Sequence, residues 1–320
     1  MRYFFRRLVH TVFLLIGVSV LSFLFGALAP GDYFEQMRLN PQISQATVAA
    51  MRSKYGLDQR LPIRYFRWLR SVLHGEFGFS FSYDTPVAPL LVARAKNTLL
   101  LTATAALLSW LVAIPLGVWS SSRKGKWPDR VLTVGTTSLL AIPDLLLALV
   151  LLWCALRTGW FPTGGLHDAR FSQLNAWKEV EDTVAHLFLP VMCLVLGSLP
   201  TLFRHIRTAL VEALDSPFIR SARGHGIPEG RVLFRYALPA AANPLISLFG
   251  FSVGTLLSAS LLVEVIMSWP GIGPLLVEAI LARDIYLVIG AVMFSTLFLV
   301  GGNLLADLLL YLADPRIRME

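Results

Sequence analysis

Charge is scarce in this sequence, with Lys, Arg, Asp and Glu together making up only 15% of its 320 residues, well below the roughly one quarter usual for soluble domains. Cysteine is scarcer still: Cys154 and Cys193 both lie inside apolar stretches, where a thiol packs as a small hydrophobe, so neither a disulfide framework nor a thiolate metal site is expected. No glycine-rich phosphate loop of the P-loop kind is present. Serines and threonines in the apolar stretches lack a nearby His and acid in a nucleophile pattern, and carboxylates are not paired at helical spacing. The six histidines are scattered, with neither a His-x-x-x-His nor a carboxylate-paired arrangement. These absences leave no catalytic, cofactor or metal site to expect, and the chain is read as a non-enzyme. The net charge of +8 also lacks the clustered, aromatic-interleaved patch that nucleic-acid binding requires.

What is abundant is apolar surface. Hydrophobic residues make up 55% of the chain and the mean hydropathy is +0.64, which describes an integral membrane protein. Six windows are long enough to cross a hydrocarbon core of about 30 Å: Leu8 to Ala29, Thr98 to Val118, Val131 to Leu156, Ala185 to Phe203, Leu238 to Ile266 and Tyr286 to Leu312. The expected fold class is an all-α, six-helix membrane protein, divided into a tail and first helix (1–29), an extracytoplasmic segment (30–97) and a core (98–320). The first window follows Arg2, Arg6 and Arg7 without a clean cleavage site, so it is read as a retained anchor. If the N-terminus is inside, the inner segments 1–8, 119–130, 204–237 and 313–320 hold 15 Lys/Arg in 62 residues, and the short outer loops 157–184 and 267–285 hold 4 in 47. This asymmetry predicts cytoplasmic termini and attraction to anionic membrane lipid.

Four prolines, Pro115, Pro143, Pro190 and Pro200, fall inside the windows and predict kinks. Directly after Pro143, Asp144 stands near the middle of the third window, where a carboxylate costs about 2.5–3.5 kcal/mol on insertion scales. It is read either as an anion lining a pathway or as a cap for the half-helix that follows. Glu264 and Asp307 lie nearer the window ends, where interfacial solvation or packing against Asn303 accounts for them. In the outer segment, RYFRWLRSVLHG places Arg64, Arg67 and Arg70 opposite Phe66, Trp68, Leu69, Val72 and Leu73 at helical spacing, which predicts an interfacial helix. It serves as an anchor or as a docking surface. Asp84-Thr85-Pro86 reads as the start of the next helix.

The segment from Leu202 to Ala237 is basic and dense in helix punctuation. Arg204 to Leu214 continues the fourth window as a helix; Asp215-Ser216-Pro217 then stops and restarts the chain, giving a short helix through Arg223. Gly224 and Gly226 can end it in a left-handed turn, and a third helix is expected over GRVLFRYAL. The short helix, flanked by two breaks, reads as a stiff knob between two stalks.

The spacing Arg220-Ser221-Ala222-x-x-x-Gly226, then nine residues, then Tyr236-x-Leu238-Pro239 resembles the EAA loop of ABC importer permeases, E-A-A-x3-G-x9-I-x-L-P. Arg220 replaces the general Glu, as is common in the peptide-importer version. With FFRRL, GEFGFSFSYDTPV, FPTGG, VEVIMSWPGIGPLLVEAILARDIYLVIG and NLLADLLLYLADPRIR, the resemblance extends over the chain and is to the B-type permease subunit of dipeptide, oligopeptide and nickel ABC importers. It implies the type I importer permease fold, a second homologous permease subunit, two cytoplasmic ATPase subunits and an extracytoplasmic solute-binding protein. It further implies that Pro217, Phe218, Ile219, Arg220, Ser221, Ala222, Arg223 and Gly226 couple to an ATPase. Trp269, Pro270 and Gly271, with the outer segment, would meet the binding protein, and Asp144 and Pro143 are candidates for the pathway. Nickel chelates, antimicrobial peptides or glycans are alternative cargoes. A proton-coupled carrier would need midplane relays and inverted repeats, of which only Asp144 qualifies, and an intramembrane enzyme would need paired reactive groups that the windows lack.

Overall fold

The structure is a computed structural model that describes residues 2–28, 31, 33–38, 44–168, 171–173 and 175–313. The terminal 314–320, including the last part of the NLLADLLLYLADPRIR motif, lies outside the described residues. In chain order the helices are α1 (Arg2–Leu28), α2 (Tyr33–Arg38), α3 (Gln45–Lys54) and α4 (Leu61–Leu73), followed by a two-stranded antiparallel ribbon, β1 (Phe79–Ser80) and β2 (Thr85–Pro86). Then come α5 (Val87–Ser122), α6 (Trp127–Leu140), α7 (Asp144–Thr158), α8 (Ala176–Leu214) and α9 (Pro217–Gly224). After α10 (Glu229–Arg231), a π-helical stretch (Val232–Ala237) and α11 (Leu238–Ala240), the chain continues as α12 (Ala242–Ile266), α13 (Ile272–Leu281) and α14 (Ile285–Ala313).

Among the described residues five helices are long and apolar enough to cross a membrane, or up to six spans if the bent pair α6 and α7 counts as one. The third window is therefore not one rod: its two halves meet at 96°. Pro143 stands at the break in extended conformation, φ −60° and ψ 141°, just before α7, because proline cannot donate to a continuing helix and pushes the residue before it out of the helical region. The other three prolines differ. Pro115 stays inside α5, and Pro190 and Pro200 stay inside α8, so of the four expected kinks only Pro143 coincides with a break. The fifth window is interrupted too, since α11 ends at Ala240 and the long helix starts at Ala242; Pro239 and Pro244 each remove a donor in that stretch.

The chain forms two compact units. One comprises residues up to Thr98 with Pro270–Phe298. Here α4 buries Trp68, with Tyr65, Leu69 and Val72, against Phe23 of α1 and Ile289 and Met293 of α14, and the Trp68 indole donates to the carbonyl of Phe77 at 3.1 Å. The helix expected from sequence is thus present and packs on the protein through this face. Phe66 and Leu73, assigned from sequence to its apolar side, point outward, Phe66 being 67% exposed. Below the ribbon, buried Asp284 accepts from the Ser80 hydroxyl at 2.7 Å and from the Ser82 amide and hydroxyl at 3.1 Å. Thr85 and Pro86 pair with Ser80 and Phe79 instead of opening a helix, because Asp84 turns the chain at φ 51°, a region that Asp tolerates better than most residues.

The second unit comprises Leu99–Trp269 and the chain from Leu299, and it is organised around α8. One core joins Leu101 and Ala105 of α5, Leu147 and Ala148 of α7, Leu189, Cys193 and Leu194 of α8, and Leu256 and Val263 of α12. A second joins Ala113, Leu202, Ile206, Leu210 and Leu245. At 39 residues and 1.5 Å per residue, α8 is about 58 Å long, roughly twice the thickness of a hydrocarbon core. It is thus longer than one crossing needs, and α9 follows its C-terminal end.

Candidate functional site

The Leu202–Ala237 segment folds as a short helix held between two stalks. After Asp215 and Ser216, Pro217 occupies the first turn of α9, where its missing N–H has no helical partner to lose. Ile219 is 0% and Ala222 8% exposed, and Ile219 packs with Leu214, Val232 and Ala237, so one face of α9 is welded to both stalks. Pro217, Phe218, Arg220, Ser221 and Arg223 are exposed, Phe218 at 48%. The eight residues singled out from sequence thus separate into a presented face and an anchoring pair. Gly226 ends the helix at φ 76°, a left-handed conformation that favours glycine; Gly224 remains helical. The Arg223 guanidinium then grips Glu229 with two hydrogen bonds, at 2.9 and 3.2 Å. The third helix expected over GRVLFRYAL is instead the π-helical stretch, a wide turn common at functional sites.

Two polar clasps tie the α5–α6 turn to the α8 stalk. Asp129 accepts from the Arg207 guanidinium at 2.6 and 2.8 Å, from the Ser120 hydroxyl at 2.5 Å and from the Gly125 amide at 2.8 Å. Further out, Lys124 donates to Asp215 at 2.7 Å, and this hydrogen bond holds the Asp215 carboxyl below its ordinary value. Neither pair is visible as a motif, because the partners are 78 and 91 residues apart in sequence.

Asp144, the first residue of α7, lines two cavities of about 320 and 590 Å³. Their walls carry Ser198, Thr201, Ser252 and Thr255 in the first and Ser258 and Asn303 in the second. Pro143 is exposed beside it. Glu264 and Asp307, read from sequence as solvated near span ends or packed against Asn303, are buried.

In the turn after α12, Trp269 is 0% exposed and belongs to the core that α5, α7, α8 and α12 form; Gly271 is buried and Pro270 partly so. Trp269 therefore positions this turn and does not itself offer a contact surface; Ser268, at φ 53°, is the exposed residue beside it. The sequence reading also missed a histidine pairing. Asp182 lies 3.3 Å from the Nδ1 atoms of both His167 and His186, and the Asp182-x-x-x-His186 spacing was the available signal. Tyr83 donates to Glu278, and burial followed by this acceptor raises the Tyr83 phenol above its ordinary value.

The family model of the binding-protein-dependent transport system inner membrane component matches residues 113–319, and the model of its N-terminal region matches residues 1–102. The chain belongs to this family. Within it, the chain is 36% identical to the oligopeptide transport system permease protein AppB of Bacillus subtilis (strain 168), over 98% of each. It is 30% identical to the glutathione transport system permease protein GsiC of Salmonella typhimurium (strain LT2), over the whole of both. It is likewise 30% identical to the nickel import system permease protein NikB of Staphylococcus aureus (strain USA300), over 98% of this chain and 91% of that one. An inward-facing structure of the MetNI methionine ABC transporter has the same fold, with a TM-score of 0.54 at 17% identity, covering 70% of this chain and 96% of that one. This permease is therefore a B-type subunit of the dipeptide, oligopeptide and nickel importer family, a multi-pass inner-membrane protein with the type I importer fold.

Proposed function

We propose that this permease is one of two homologous subunits that together enclose the pathway of an ATP-driven importer of peptides, energised by two cytoplasmic ATPases and loaded by an extracytoplasmic binding protein. The observation that carries the coupling role is the two-faced α9: Ile219 is fixed to the stalks and Ala222 is buried, while Phe218, Arg220, Ser221 and Arg223 are presented. A stiff element welded to the membrane helices transmits a rigid-body push, whereas a flexible loop would absorb it. The Lys/Arg asymmetry supports a cytoplasmic position for α9 and for both termini. On this reading residues 1–29 form the tail and first helix, 30–97 the extracytoplasmic segment and 98–320 the permease core. The chain itself hydrolyses no ATP.

The 36% identity to AppB supports a peptide cargo, and the 30% identity to NikB keeps a nickel chelate as the second reading. Family membership argues against a self-sufficient proton-coupled carrier. The extracytoplasmic segment and the exposed surface around Ser268 are the proposed docking area for the binding protein, with Trp269, Pro270 and Gly271 setting the shape of the turn.

The test is Gly226→Val in the assembled importer. A β-carbon at Gly226 meets nothing within 4 Å, so the change acts through the backbone and not through crowding. A β-branched residue at positive φ costs about 1–2 kcal/mol and would tilt α9 on its stalks. ATP hydrolysis should continue while ATP-driven uptake in proteoliposomes falls; uptake per ATP equal to wild type would count against the coupling role.

A further inference from the structure

The carboxylate of Asp144 stands at the 96° break between the apolar helices α6 and α7, at the junction of two cavities. Gly197 of α8 makes room for it: a β-carbon there would lie 2.8 Å from Asp144 Oδ1. Asp144 is exposed, and among the described residues its carboxylate has no hydrogen-bond or ion-pair partner. None of the residues lining the two cavities is Lys, Arg or His. Ionisable groups at membrane depth normally pair with one another, with backbone or with a passing solute, so the cation that meets this anion comes from outside the chain.

The rest of the wall suits an amphipathic guest. Ser198, Thr201, Thr255 and Asn303 offer neutral hydrogen-bonding groups, while Phe251 borders both cavities. Volumes of about 320 and 590 Å³ lie in the range of small-molecule sites, about 300–1,000 Å³.

We propose that Asp144 is a way station for the protonated amine of the cargo, so that this permease favours solutes with a free ammonium group, such as peptides with an unblocked N-terminus. The assignment rests on the permease reading above. It assigns Asp144 a direct contact with substrate during passage and gives Gly197 the role of clearing space for the carboxylate.

The test uses the complete importer in proteoliposomes, with trialanine and N-acetyl-trialanine as probes. Asp144→Asn should lower trialanine uptake about tenfold or more, the scale of losing a hydrogen bond between charged groups, with the complex intact on gel filtration. In the wild-type complex, trialanine should slow labelling of Asp144 by a water-soluble carbodiimide, read by mass spectrometry, and N-acetyl-trialanine should not. Gly197→Ala, which keeps the charge but displaces it, should weaken that protection. Equal protection by both peptides, no protection by either, or unchanged trialanine uptake in Asp144→Asn would overturn the ammonium assignment while leaving the permease reading standing. A complex that dissociates in Asp144→Asn would overturn it too, by giving the cation to the neighbouring subunit. A wild-type complex that carries neither peptide with ATP would bring down the peptide-import reading and this assignment with it.

Discussion

At the residue scale, the clearest division of labour is within α9. Ile219 is sealed against Leu214, Val232 and Ala237, so Ile219→Ala should loosen the weld, at about 2–5 kcal/mol for a large-to-small change in a packed site. A lower unfolding midpoint of the detergent-solubilised complex would show it. Ser221→Ala, on the presented face, should leave that midpoint unchanged. Asp215 gives a pH dependence of known sign: because its folded value is depressed by the hydrogen bond from Lys124, its contribution is present above the ordinary carboxylate value of about 3.9 and is lost as pH falls through the lower, folded one. The midpoint difference between wild type and Asp215→Asn should be constant from about pH 8 to pH 5 and close only in stronger acid. A difference that closes near neutrality would mean the Lys124 pair does not set the Asp215 titration.

At the scale of elements, the Asp129–Arg207 clasp joins the turn before the broken crossing to the stalk that carries α9. Its carboxylate is nearly enclosed, with a side-chain exposure of 4%. The Arg207 side chain left behind is 26% exposed, so Asp129→Asn should cost less than the about 3–5 kcal/mol of a fully buried pair and still lower the unfolding midpoint more than Glu229→Gln, which breaks an exposed pair worth about 0.2–1 kcal/mol. Equal effects of the two would contradict the clasp. Elements were legible in the sequence where local chemistry set them: the stop at Asp215, the Pro217 start and the Gly226 turn follow from side chains within a few residues. The 96° bend at Pro143 was only partly legible. A proline marks that a helix is disturbed, yet Pro115, Pro190 and Pro200 sit in continuous helices, and which of them breaks depends on packing partners far away in the chain. For the same reason the packing of Tyr65 and Trp68 of α4 against Phe23 and Met293 was not legible.

At the scale of the whole molecule, hydropathy was enough for the long apolar helices, and the EAA-like spacing was enough for the family. The site was less legible. Trp269 looked like a contact residue because an aromatic beside Pro-Gly in an outer loop suggests a surface, and its burial became apparent only with α5, α8 and α12 around it. The joining of two cavities at Asp144 likewise required α8, α12 and α14 in place.

In the proposed importer the presented face of α9 receives work from a separate ATPase. Replacing Phe218 with the photo-crosslinker benzoylphenylalanine and illuminating the assembled importer in inverted vesicles reads that contact. The expected product is an adduct with the ATPase subunit whose yield changes when ATP and vanadate are added. An adduct with the extracytoplasmic binding protein, or with lipid alone, would contradict it.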